Sequence, residues 1–227
     1  MMDMDILYED AWILAMHKPA GLTADREGVS CMGAVRQYLR ARYPWKKRQD
    51  PVLLHRLDRP VSGVLLFALK REAARGLYGQ FEKREVEKTY LALTRGSLPA
   101  WEGTLEHLLA RNDSERKAEI VDAGHPDAKR CRLWYRVQGK SADGVTLLAV
   151  VPETGRYHQI RAQLAAVACP LLNDGRYGAA LEQGMDPWRI GLHAHRLAIT
   201  HPVLGGPLLL RAPLPSHPCW TGWPSGQ

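Results

Sequence analysis

The chain has 227 residues, of which 45% are hydrophobic and 24% charged, with a formal net charge of +7. That length can bury a substantial core, the composition excludes a disordered or fibrous chain, and no apolar run reaches the ~20 residues a membrane helix needs. The excess of positive charge favours a polyanionic partner. The acidic start, MMDMDILYED, lacks the basic-then-apolar pattern of an export signal. Cys31, Cys131, Cys169 and Cys219 are scattered without CxxC spacing, so the expectation is a cytoplasmic protein with reduced thiols.

In chain order, residues 4–17 read as two short strands around a polar turn, stopped by Lys18-Pro19-Ala20-Gly21. Ser30 can cap a helix running to about Tyr43, with Met32, Val35 and Leu39 at helical spacing. A basic loop, Trp45-Lys46-Lys47-Arg48, leads to HRLDRPVSG and then to GVLLFAL (63–69), a buried strand. Residues 71–83 read as a helix with Ala74, Leu77, Tyr78 and Phe81 on one face, and 86–94 alternate as a strand. The stretch 99–130 is polar and charged and reads as a long connection with at most short strands. Strands at 131–138 and 144–151 precede a helix over about 157–168, with Ile160, Leu164 and Val167 on its apolar face. Strands near 192–200 and 207–212 come before a proline-rich tail. Helices among many short strands, without regular βαβ alternation, predict an α+β fold with a mainly antiparallel or mixed sheet. Neither a repeat nor a low-complexity linker divides the chain, so residues 1–227 are expected to form a single domain.

Three segments carry chemistry. In His55-Arg56-Leu57-Asp58-Arg59-Pro60 the proline biases Arg59 away from helical geometry, which places Asp58 on an extended or turning segment that feeds a buried strand. Arg56 and Arg59 flank the carboxylate and favour its ionised form. An ionised, positioned carboxylate can act as a nucleophile; on spacing alone the favoured reading is an aspartate that pairs with an arginine and only anchors its loop. In Thr154-Gly155-Arg156-Tyr157-His158-Gln159-Ile160-Arg161, basic groups crowd the start of a helix, against the macrodipole. A carboxylate or an RNA phosphate would relieve that conflict, as would side chains fanning into solvent. In Lys88-Thr89-Tyr90-Leu91-Ala92, the tyrosine lies opposite the leucine face, where it can stack on a base or pack in a second core layer. His193 and His195 share a strand face, but no third ligand follows at local spacing, so no metal site is expected. GxGxxG, P-loop and GxSxG motifs are missing.

Taken together, these segments resemble the RluA-type pseudouridine synthases of large-subunit rRNA and tRNA. The resemblance runs in order through Lys18-Pro19-Ala20-Gly21, HRLDRPVSGVLLFAL (55–69), Lys88 to Tyr90, TGRYHQIR (154–161), PLLNDGRYG (170–178) and LHAHRLAITHP (192–202). It implies a long mixed, mainly antiparallel sheet with flanking helices and a central RNA-binding cleft. It implies Asp58 as the catalytic aspartate, Arg161 as the arginine pairing with it, and Tyr90 as the tyrosine against the target base. Arg56 corresponds to the arginine that fills the space left by an extruded uridine, and Arg59, Lys18, Arg156 and His158 are expected to contact RNA. The lysine–proline pair lies close to the first residue, so the compact type without an S4-like RNA-binding domain is expected, acting as a monomer. Two departures stand out: Gln163 where a histidine is usual, and Asn173 where a glycine is usual before the aspartate.

The implied reaction exchanges an N1–C1′ bond for a C5–C1′ bond. It changes no oxidation state, so no cofactor is expected. The carboxylate can attack C1′, or support departure of the uracil and take part in proton removal from the sugar. An inactive RNA-binding relative and a glycosidase are the competing readings. The latter needs a second carboxylate, for which Glu153 and Asp174 are the candidates.

Overall fold

A computed structural model describes residues 4–25, 29–45, 50–96 and 98–223. Lys46, Lys47 and Arg48 of the expected basic loop lie outside the described residues. Among the described residues there are eleven strands and three α-helices, and the sheet is mainly antiparallel, as the sequence pattern predicts. The chain groups into two compact units, one comprising residues 1–88 and 194–216, the other 89–193 and 217–227.

In the first unit, β1 (Ile6–Glu9) and β2 (Ile13–Lys18) form the expected hairpin. Asp10 holds its turn: one carboxylate oxygen accepts the backbone N–H groups of Trp12 and Ile13. β2 pairs antiparallel with β4 (Ser62–Ala68), which is buried along its whole length. The short β3 (Val52–Leu53) also pairs with β4, while β10 (Leu192–Thr200) follows β4 in the strand order and carries β11 (Pro207–Arg211). Alternate residues of β4 divide between two faces. Val64, Leu66 and Ala68 join a cluster with Leu77, Leu197 and Leu210. To that cluster α2 (Arg71–Glu82) contributes Ala73, Ala74 and Leu77. Tyr78, expected on the same apolar face, is 49% exposed instead. α1 (Cys31–Arg42) starts where Ser30 accepts the Gly33 N–H, and its buried stripe is Cys31, Val35 and Leu39. The hydroxyls of Tyr38 and Tyr43 both donate to Glu9, which ties the helix to β1.

Gly63 explains the small residue in the VSG segment. Its φ is +125°, and a Cβ there would lie 2.2 Å from the Ala194 carbonyl oxygen. Only glycine lets β4 approach so closely.

The second unit is an antiparallel sheet in the order β5 (Glu87–Arg95), β9 (Val145–Pro152), β8 (Lys129–Lys140), β6 (Glu102–Asn112) and β7 (Lys117–Ile120). The polar stretch 99–130, read as a connection, is in fact an eleven-residue strand and its hairpin partner. α3 (Gln159–Ala166) packs on β6 and β7. It begins two residues later than the pattern suggests because His158 sits at φ +50°, outside right-handed helix geometry. Ala162 of the helix meets Leu109, Ala118 and Cys131 of the strands, with Tyr177 against them. All four cysteines are free thiols.

Candidate active site

In the first unit the HRLD segment runs between β3 and β4. His55 anchors its start: its Nε2 accepts the Leu66 N–H at 3.3 Å, and its ring stacks on Phe81. Burial, with the Lys88 ammonium as a lesser cause, pushes this imidazole down to about 3, so it is neutral. Asp58 follows on a turn closed by the Val61 N–H donating to the Asp58 carbonyl at 3.0 Å. Arg59 gives its carbonyl to the Gly21 N–H and its Nε to the Gly21 carbonyl, each at 2.7 Å. The KPAG turn and the Asp58 turn are thereby stitched together. Arg56 is an exposed side chain, 3.7 Å from an Asp25 carboxylate oxygen.

Lys18 corrects the expectation of an RNA contact. It is 0% exposed. Its ammonium donates to the carbonyls of Pro19 (2.8 Å), Arg59 (3.2 Å) and Val61 (2.7 Å). Lys18 is therefore a clamp inside the Asp58 turn. Burial lowers its pKa to about 8, partly opposed by the nearby Cys31 and Asp58 groups. The positive charge beside Asp58 in this unit thus includes one from a residue forty positions earlier in the chain.

In the second unit, Tyr90 is half-buried on β5, opposite Val150 of β9. The TGRYHQIR turn is organised by Gln159. Its Oε1 accepts from the Thr154 hydroxyl (2.7 Å) and the Arg156 N–H (3.0 Å), while its Nε2 donates to the Arg132 carbonyl (3.1 Å). Arg156 is left exposed. Arg161 is 4% exposed and lies against Asp174, 2% exposed, in a two-pronged bond: Nε to Oδ2 at 2.7 Å and Nη2 to Oδ1 at 2.8 Å. A carboxylate from NDGRYG therefore relieves the charge conflict at the start of α3.

His158, expected to contact RNA, is only 8% exposed. Its Nε2 is 3.0 Å from Arg161 Nη1 and its Nδ1 3.0 Å from the Tyr177 hydroxyl. A surface role does not fit this placement. Burial pushes its pKa to about 3, helped by Arg161, Arg176 and Arg111.

The two sequence departures have local explanations. Asn173 takes φ +62°, a left-handed conformation that suits glycine and is tolerated by asparagine. Its side chain donates to the Asp186 and Arg189 carbonyls and accepts the Glu182 N–H. Gln163 is fully buried and donates to the Leu105 carbonyl at 2.9 Å, linking α3 to β6. Neither position is exposed to a ligand. Sequence reasoning missed Lys18 as a clamp of the Asp58 turn, and Asp174 and Tyr177 as partners of Arg161 and His158. The basic crowding before Arg161 was the one signal that a buried carboxylate had to be near.

A family model described as RNA pseudouridylate synthase matches residues 13–166. The chain is 34% identical over 220 residues to the tRNA pseudouridine synthase C of Pasteurella multocida (strain Pm70), covering 89% of this chain and 88% of the relative. It is 37% identical over 218 residues to the ribosomal large subunit pseudouridine synthase C of Escherichia coli (strain K12), covering 92% of this chain but 66% of that protein. The solved structure of human RNA pseudouridylate synthase domain containing 1 superposes with a TM-score of 0.77 at 28% identity, over 96% of this chain and 86% of that one.

Proposed function

The chain belongs to the RNA pseudouridylate synthase family, and from that premise we propose that it isomerises particular uridines of rRNA or tRNA in the cytoplasm, with Asp58 as the reacting carboxylate. The observation that carries the assignment of Asp58 is its turn. The segment is held at three points, by His55, by the buried Lys18 and by the surface Arg59. A functional carboxylate is best placed on so rigid a support.

In this reading, Asp58 acts at C1′ of an extruded nucleotide. Arg161 pairs with the carboxylate and keeps it ionised, and Tyr90 lies against the uracil. Arg56, exposed and two residues before Asp58, enters the space that the base leaves. Arg156 meets phosphate. The rRNA and tRNA classes come from the relatives' names.

The glycosidase reading loses its second carboxylate. Asp174 is engaged by Arg161, and Glu153 is 46% exposed beside Arg132, so neither is held as a proton donor.

The test is Asp58→Asn, assayed on unmodified rRNA and tRNA transcripts. Pseudouridine formation should fall by roughly 10⁴-fold or more, the scale seen when a group acting in the chemistry is removed, while RNA affinity stays within about threefold. Substantial turnover in the pure variant would remove Asp58 from the chemistry.

A further inference from the structure

His158 combines three features that a packing residue does not need. It is buried, it stands in a left-handed backbone conformation, and both ring nitrogens face defined partners. The partners fix its protonation. Arg161 Nη1 is solely a donor, so Nε2 must be bare to accept its N–H at 3.0 Å. Nδ1 then carries the proton and donates to the Tyr177 oxygen at 3.0 Å. That oxygen also accepts the Ala118 N–H of β7 at 2.8 Å, and a phenol oxygen has lone pairs for both. The opposite tautomer would set N–H against N–H at Arg161.

The groups facing the ring all favour the neutral form. Arg161 comes from α3, Arg111 from β6 and Arg176 from the turn Gly175–Tyr177, each opposing a positive imidazole. Tyr157 stacks on it with ring centroids 3.8 Å apart. The Asp174 carboxylate is already engaged in its fork with Arg161. Tyr177 also lies 5.0 Å beneath the Arg161 guanidinium carbon. The guanidinium is thus held at one edge by Asp174, at the next by His158, and on its face by Tyr177.

We propose that His158 is a positioning residue for Arg161: locked as its Nδ1–H tautomer by Tyr177, it offers a bare Nε2 that, with Asp174, fixes the plane of the guanidinium. The proposal rests on the reading that Arg161 pairs with Asp58. A neutral acceptor suits the task better than a second carboxylate. It orients the guanidinium without adding a second negative charge beside it.

The test uses His158→Gln, His158→Ala, His158→Asn and Tyr177→Phe in the full chain, with folding checked by thermal melts. Gln can place Oε1 where Nε2 stands, whereas Asn is too short to reach Arg161, although it accepts the left-handed backbone more readily. Single-turnover rates on an unmodified transcript should fall about tenfold or more for Ala, Asn and Tyr177→Phe, the scale of a lost bond to a charged group. Gln should stay within about threefold of wild type, and RNA affinity should change by less than about threefold throughout. Nitrogen NMR of the wild-type imidazole should show a protonated Nδ1 and a bare Nε2 from about pH 5 to about pH 9, where a free histidine would titrate.

A Gln variant no faster than Ala, or an Asn variant faster than Gln, overturns the positioning role. So does RNA affinity that falls in step with rate, which would restore His158 as an RNA contact. A protonated Nε2 overturns it without reference to activity. Wild-type protein that forms no pseudouridine, or Asp58→Asn protein that forms it normally, overturns the functional reading itself, and the role of Arg161 with it.

Discussion

A lysine ammonium without exposed surface is a costly thing to bury, and the molecule uses Lys18 in just that way, to gather three carbonyls around the Asp58 turn. Lys18→Met should remove the only charge in that clamp while keeping most of its volume. With bonds to a charged donor each worth about 1.5–3 kcal/mol, and the carbonyls left buried, a loss of about 3–5 kcal/mol is expected, read as a lower Tm together with slower turnover. The pH dependence has a definite sign. The folded chain holds the Lys18 pKa at about 8, below the ordinary 10.5, so it gives up that proton before the unfolded chain does. Stability from this group therefore rises as pH increases from about 8 towards 10.5. The Tm gap between wild type and Lys18→Met should widen from pH 7 to pH 9.5; a constant gap would mean that the lysine does not titrate there. Asp174→Asn tests the second buried charge. It removes a buried counter-charge from the Arg161 guanidinium, and about 3–5 kcal/mol should be lost, with near-wild-type denaturation midpoints counting against the pairing. The sequence singled out Asp58, Tyr90 and Arg161 because each stands in a motif. It could not show that Lys18 faces inward, because its partners Arg59 and Val61 lie forty positions away and offer backbone, which has no residue signature. It missed Asp174 as the partner of Arg161 because the two stand in separate motifs that only the turn after α3 brings together.

Elements were legible where periodicity and burial agree. β4 is a continuous apolar run and is buried along its whole length. α1 has both a serine cap and a buried stripe. β6 was illegible because it runs EGTLEHLLARN with charges near its ends and in its middle, and only one side of it needs apolar residues; Leu105 and Leu109 are buried while Glu102 and Glu106 pair outward with Arg136 and Arg130. Such a strand carries long-range cross-strand ion pairs that a local pattern reads as loop. The start of α3 was misplaced because a left-handed residue is not visible in a non-glycine sequence. β4 also offers the sharpest element-level test. Gly63→Ala would place a methyl group 2.2 Å from the Ala194 oxygen at a φ of +125°. Neither backbone can yield without unpairing, so strain and overpacking together should cost about 3 kcal/mol or more. Chemical denaturation should show this directly. An Ala variant as stable as wild type would mean that β4 does not approach the Ala194 backbone as closely as described.

At the scale of the whole molecule the relevant quantity is charge and where it is displayed. The chain carries a net +7, yet several of its positive groups are spent internally: Lys18 on carbonyls, Arg161 on Asp174. Others are cancelled at the surface, as Arg130 and Arg132 are by Glu106. Still others are exposed on both units, as at Arg40, Arg42, Arg71 and Arg75 of the first. On the second unit Arg116, Arg156 and Arg176 are exposed around Tyr157, whose hydroxyl and the Arg176 guanidinium both donate to the Arg116 carbonyl. Arg111 lies over the Tyr157 ring but is already paired with Asp113 at 2.6 Å, so it should contribute less. Three or four such contacts with phosphate predict a log–log slope of affinity against salt of about −3, or roughly a hundredfold loss of RNA affinity between 50 and 200 mM salt. Replacing Arg156 and Arg176 with alanine should make that slope shallower by about 1–2 units, leave Tm unchanged within a degree or two, and slow the reaction only below saturating RNA. The measurement is a salt titration of binding for both proteins on one transcript. If the double variant keeps the wild-type slope, phosphate is held elsewhere and this arginine group is a solvated face; if wild type itself shows no slope, contacts other than charge hold the RNA.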